Sequence, residues 1–154
     1  MRAAAFFDRD GTINVNLGHV YKLTDLKFVT GVPEIIKSYN DAGILVIVVT
    51  NQAGIAKGFY SEAEMHRFNR YMNKQLQAQF GAHIDGFYFC PHHPDFTGSC
   101  SCRKPKPGLF YQAAKDWNIS LSESVMYGDK ESDAAAAWSA GIKEFHLVSC
   151  EENI

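Results

Sequence analysis

No apolar run in this 154-residue sequence exceeds about seven residues, whereas a helix needs about 20 to cross a bilayer. Basic residues do not dominate either. Fifteen Lys+Arg against 17 Asp+Glu give a formal net charge of -2, so there is no broad positive field to hold a polyanion. Repeats and Pro-, Gly- or Ser-rich linkers are lacking, and the expectation is a single domain over residues 1–154. Cysteine is scarce: there are four, of which Cys90, Cys100 and Cys102 cluster and Cys150 stands apart. That is too few for a disulfide framework. No charged and apolar leader opens the chain, which is expected to be cytoplasmic with neither membrane nor nucleic acid as partner, and the absence of a spare apolar stripe leans to a monomer. In a reducing compartment, clustered cysteines more often hold metal than pair with one another.

Short β-type runs alternate with longer helical patterns. Residues 3–7, 44–49, 85–89, 124–127 and 144–148 read as strands, and the run from Ile44 to Val49 has no polar interruption. Continuous β-branched runs suit strands covered on both faces, hence an α/β fold with a central parallel sheet and helices on each side. Helices are predicted over residues 31–42, from Ser61 through at least Leu76, from Pro107 to Trp117, and over 132–140. Ser61 and Glu64 form a capping box, with Met65, Phe68, Met72 and Leu76 as one apolar stripe behind it. No insertion is long enough to build a second domain over the sheet.

The first motif is Phe7-Asp8-Arg9-Asp10-Gly11-Thr12, at the end of the first strand. In a parallel α/β sheet ligands bind outside the carboxyl ends of the strands. Alternation along a strand lets Asp8 and Asp10 address one site, and Gly11 lets the chain turn sharply after them. Paired carboxylates repel, and a cation keeps both ionised. A third carboxylate comes from Gly128-Asp129-Lys130, after the penultimate strand. An all-oxygen set favours Mg2+. Thr50, Asn51 and Gln52 leave the strongest strand, and Arg103-Lys104 precedes a Pro-Lys-Pro stretch. A hydroxyl, amides and cations around a metal suit a tetrahedral oxyanion such as phosphate. One carboxylate is then free to attack phosphorus and the other to move a proton.

Cys90-Pro-His92-His93-Pro94, followed by Cys100-Ser-Cys102, offers three thiolates and one imidazole. That set suits tetrahedral Zn2+ in a closed structural site, with His92 or His93 as fourth ligand. A disulfide within the loop and a catalytic metal are the alternatives. Arg103, bonded directly to Cys102, either clamps a phosphate or balances the thiolates.

By these residues the chain resembles the haloacid dehalogenase superfamily, whose motifs are Asp-x-Asp-Gly-Thr, a Thr or Ser after a strand, a Lys, and Gly-Asp. The resemblance implies a Rossmann-like phosphatase fold without a cap domain. It implies Asp8 as nucleophile forming an aspartyl-phosphate, and Asp10 as general acid/base. Mg2+ would be held by the Asp8 side chain, the Asp10 backbone carbonyl and Asp129, with Thr50 and Lys104 on phosphoryl oxygens. Within the superfamily the chain is similar to the heptose-bisphosphate phosphatase branch, with histidinol phosphatases as near relatives and as the alternative. That similarity implies a small phosphorylated sugar as substrate, His92 as the zinc ligand and Lys130 as a substrate contact. Arg103 and Lys130 are more cations than one phosphate needs, and a second phosphate would use them. Asn16, His19, Asn51 and Gln52 are candidate substrate contacts.

The remaining features read as structural. Trp117 and Trp138 are expected in the core, His66 falls on the polar side of its helix, His83 and His146 show no partner in sequence, and Cys150 reads as a free thiol. Asp133 is a candidate brace for Lys104 or for the metal's surroundings. A zinc-stapled binding domain without activity is the competing class, but it would have no use for Asp8, Asp10, Lys104 and Asp129 together.

Overall fold

All five expected strands form. In the computed structural model, which describes residues 1–149, they are β1 (Ala4–Phe7), β2 (Leu45–Asn51), β3 (Gly86–Cys90), β4 (Val125–Gly128) and β5 (Glu144–Leu147). They run parallel in the order β3-β2-β1-β4-β5. The helices are α1 (Val32–Asp41), α2 (Glu62–Phe80), α3 (Pro94–Thr97), α4 (Gly108–Trp117) and α5 (Glu131–Ala140).

The unbroken apolar reading of β1 and β2 has a direct cause: both faces are covered. Ala5, Phe7, Val46 and Val48 pack with Ile36 of α1 and with Phe68, Met72 and Leu76 of α2. Ala4, Phe6, Leu45, Ile47 and Val49 turn the other way, onto Leu109, Phe110 and Ala113 of α4 and Ala136, Ala137 and Ala140 of α5. The chain changes side of the sheet between these helix pairs. The strand order therefore reverses between β1 and β4, and the crevice outside their carboxyl ends is where such sheets bind ligands. Among the described residues no second domain stands over that crevice.

Local signals behave as read. Ser61 Oγ accepts from the Glu64 N–H at 3.1 Å while Glu64 Oε1 accepts from the Ser61 N–H at 3.0 Å, completing the capping box. The short helix α3 was not expected inside the cysteine loop. Pro94 presets its first turn, and His93 Nδ1 caps it by accepting from the Asp95 N–H at 3.1 Å.

Trp138 corrects the core expectation, being 54 % exposed. α5 lays its small alanines on the sheet, and Trp138 falls on the outer side. Trp117 does pack against the core, and its indole N–H donates to the Tyr88 hydroxyl at 3.1 Å. The histidines without visible partners acquire them: His83 meets Asp85 at 3.1 Å and His146 meets Glu144 at 2.8 Å. Cys150 lies outside the described residues.

Candidate active site

Asp8 leaves β1 with its backbone still on the ladder, its N–H donating to Tyr127 O at 3.0 Å. The carboxylates of Asp8, Asp129 and Asp133 consequently gather so that one oxygen of each lies within 4.8 Å of the others. Lys104 Nζ reaches in from the loop before α4 and donates to Asp8 Oδ1 at 2.8 Å, Asp133 Oδ1 at 2.6 Å and Val49 O at 2.9 Å. Asp133 does brace Lys104, and its other oxygen accepts from the Asp129 and Lys130 N–H groups, both at 3.2 Å.

One ammonium against three carboxylates leaves this buried site short of positive charge. Burial pushes the Asp8 carboxyl up to about 8; Lys104 opposes that shift, and Asp133 and Asp129 add to it. Asp129 is raised too, chiefly by burial. Burial works against a charged Lys104, but Asp8 and Asp133 outweigh it and the net shift is upward. A divalent cation would relieve the carboxylates, and the all-oxygen donors fit Mg2+. Asp8 and Asp129 are the side chains that would hold it, with the Asp10 carbonyl. Gly11, at φ +86°, is the turn that makes room: a methyl there would run into the Asp129 carboxylate.

The Asp10 carboxylate lines the same cavity as Asp8 but has its own partners. Its Oδ1 accepts from Arg9 Nε (3.1 Å), Arg9 Nη2 (3.0 Å) and Asn14 Nδ2 (3.0 Å). Its Oδ2 accepts from Arg9 Nη2 and Gln52 Nε2, both at 3.1 Å. Gln52 also donates to Thr50 Oγ1 at 2.9 Å, and the Tyr60 hydroxyl donates to Gln52 Oε1.

A cavity of about 590 Å³ opens over these groups. It is lined by Asp8, Asp10, Lys104 and Asp133, by the expected Asn16, His19, Asn51, Gln52, Arg103 and Lys130, and by the unexpected Lys57 and Tyr60. Thr50 is buried beneath it. Asn51 spends its amide on the Lys104 main chain, accepting from its N–H at 3.0 Å and donating to its C=O at 3.2 Å. It therefore positions the lysine. His19 sits at φ +47°; burial and Lys57 push its imidazole down while Asp10 pulls it up.

In the cysteine loop, Cys100 Sγ lies 3.6 Å from Cys90 Sγ and 3.7 Å from Cys102 Sγ. A disulfide needs about 2.05 Å. Zn–S bonds of about 2.3 Å at tetrahedral angles put sulfurs about 3.8 Å apart, so the observed spacing fits Zn2+. His92 is not within the thiol cluster, and its carbonyl accepts from Arg103 Nη1 at 3.3 Å. His93 commits Nδ1 to the α3 cap. Cys102→Ser is expected to lower bound zinc and activity together, because Arg103 and Lys104 follow Cys102 directly. Metal analysis of the purified variant checks this, and full zinc occupancy would give the ligand role to another residue.

Residues 3–146 match the family profile of polynucleotide kinase 3 phosphatases. The D-glycero-beta-D-manno-heptose-1,7-bisphosphate 7-phosphatase of Haemophilus ducreyi is 44% identical over 151 residues, covering 96% of this chain and 83% of that protein. The enzyme of the same name from Yersinia pestis is 42% identical, covering 94% and 79%. The crystal structure of the D,D-heptose 1,7-bisphosphate phosphatase of B. bronchiseptica, complexed with magnesium and phosphate, superposes with a TM-score of 0.83. It is 31% identical, with 94% of this chain and 79% of that one covered. The chain belongs to the heptose-bisphosphate phosphatase family.

Membership makes it a phosphomonoester hydrolase of the haloacid-dehalogenase type, and it does not favour the histidinol-phosphatase alternative. It does not single out the residues behind the motifs. Arg9, Asn14, Tyr60, Lys57 and Asn69 were missed as site residues. Arg9 and Asn14 stood inside or beside the first motif, where a charge between two aspartates was the available signal. For Tyr60 and Asn69 there was none, because each acts through a contact made only when α2 and the preceding loop dock on the sheet.

Proposed function

We propose that this phosphatase removes the C7 phosphate of D-glycero-D-manno-heptose 1,7-bisphosphate, as the β anomer, with Mg2+ and an aspartyl-phosphate on Asp8. The observation carrying the substrate is the supply of cations around the cavity. Lys104 is committed to Asp8 and Asp133, yet Arg103, Lys130 and Lys57 line the same space. A single phosphoryl group does not need three further cations; a second phosphate uses them.

Asp8 attacks phosphorus through a carboxylate oxygen, while Lys104 and Thr50 hold phosphoryl oxygens. Asp10 gives its proton to the departing C7 oxygen, then takes one from the water that cleaves the acyl phosphate. Bound Mg2+ would neutralise charge on the phosphoryl group. Asp133 and Asn51 keep Lys104 on station through its side chain and main chain respectively. Cys90, Cys100 and Cys102 would hold Zn2+, and His92, which lies outside the thiol cluster here, is the expected fourth ligand; the loop they close carries Arg103. The clustered thiols fit a reducing, cytoplasmic setting.

Phosphate release with Mg2+ from both heptose anomers, L-histidinol phosphate and a 3′-phosphorylated oligonucleotide tests the substrate. A large preference for the β-heptose, with only the C7 phosphate lost, is expected. Preference for either of the other two classes overturns the assignment. Arg103→Ala is expected to cost kcat/KM on the bisphosphate about 10- to 100-fold, as for a lost charge-assisted bond. On an aryl phosphate the loss should stay under about threefold. Equal losses would make Arg103 a zinc-loop residue alone.

A further inference from the structure

We propose that Arg9 is a positioning residue whose guanidinium, held from behind, sets the direction in which the Asp10 carboxyl meets the leaving oxygen. This rests on the reading of Asp10 as the acid–base group. Arg9 is fully buried and is among the largest side chains in the molecule that are. Every side of its planar fork is used. Nε and Nη2 face Asp10, Nη2 also donates to Val20 O at 2.7 Å, and Nη1 donates to Asn69 Oδ1 at 3.1 Å. Its face lies 4.7 Å from the centre of the Phe68 ring. Asn69 and Phe68 belong to α2, so that helix anchors a cation whose carboxylate partner among the described residues stands at the edge of the cavity.

Two neighbouring amides support the same conclusion. Among the described residues, Asn14 Oδ1 and Asn69 Nδ2 are the buried side-chain polar atoms without a hydrogen-bond partner. In each case the opposite end of the amide is the one engaged, Asn14 Nδ2 on Asp10 and Asn69 Oδ1 on Arg9. Flipping either amide would pair like with like against a charged group. Their orientation is dictated by the Arg9–Asp10 pair, at the expense of their own satisfaction. A buried arginine that merely tied the loop to α2 could do so through Val20 and Asn69 without placing its fork on Asp10.

The leaving group separates positioning from simple structure. A sugar alkoxide needs a proton to depart, whereas 4-nitrophenolate does not, and kcat/KM includes only steps through that departure. Asp10→Asn is measured first: about a 10³-fold loss is expected on the heptose bisphosphate, and little on 4-nitrophenyl phosphate. Equal losses there overturn the role of Asp10 itself, and with it the basis for Arg9. With Asp10 selective, Arg9→Lys is expected to lose about 30- to 100-fold on the bisphosphate and under about threefold on the aryl ester. Asn69→Leu, which removes the anchor and keeps both charged partners, should show the same selectivity at about five- to tenfold. Unselective loss or no loss in these variants overturns the proposal and leaves Arg9 a structural tie. If Arg9→Lys does not fold, Asn69→Leu decides by the same criterion.

Discussion

With asparagine in place of Asp8, phosphate release is expected to fall by about 10⁴-fold or more while the fold survives. An amide oxygen is no nucleophile toward phosphorus. Lys104 keeps Asp133 as its partner at 2.6 Å, and one of three crowded carboxylates is gone. The variant also changes how stability depends on pH. In the folded chain without metal the Asp8 carboxyl is raised, chiefly by burial, from 3.8 to about 8. A group raised in this way contributes fully below its unfolded value, and the contribution is lost as pH climbs through its folded one. Mg2+ must displace that proton at pH 6 and meets less competition at pH 8. Its stabilising shift in melting temperature should therefore be larger at pH 8 for the parent chain. Asp8→Asn should lose most of that difference. Thermal unfolding at both pH values, with Mg2+ and with chelator, checks the second claim. Retained turnover, or an unchanged Mg2+ increment, would remove Asp8 from its place.

Lys104→Met has the next largest consequence, and it falls on stability as much as on rate. The substitution leaves Asp8, Asp133 and the Val49 carbonyl without the ammonium they share. Removing one member of a buried charge cluster costs about 3–5 kcal/mol. For a chain of this size that lowers the melting temperature by on the order of 10 °C. Loss of a preorganised cation beside the phosphoryl group should reduce kcat by about 10²- to 10³-fold. Saturating Mg2+ should return part of the stability, since it also neutralises Asp8, and little of the rate. A melting temperature within about 2 °C of the parent would mean that the carboxylates are balanced by other groups.

Both substitutions act on residues that the sequence singles out, but their magnitudes come from burial. Asp8, Asp10 and Asp129 could be picked out because each follows a strand, and Thr50 because it lies at the end of one, since strands announce themselves through unbroken apolar runs; Lys104 came from the family motif instead. The clustered cysteines could be picked out by spacing. Asp133 reads from the sequence as a candidate brace for Lys104, but what Asn51 does is not legible in that way. Both hold Lys104, and the distance along the chain from Asn51 to Lys104 is 53 residues.

From its sequence alone the protein determined its strand and helix pattern, its sheet class and its metal-suited ligands, because these depend on neighbours a few residues apart. The pairing of charges was decided by tertiary structure. Lys104 meets Asp8 across 96 positions, and Arg9 meets Asn69 across 60. A carboxylate's ionisation is set by the water it has lost and the donors that replace that water. Folding brings those donors together from distant segments, and no local pattern records which ones arrive.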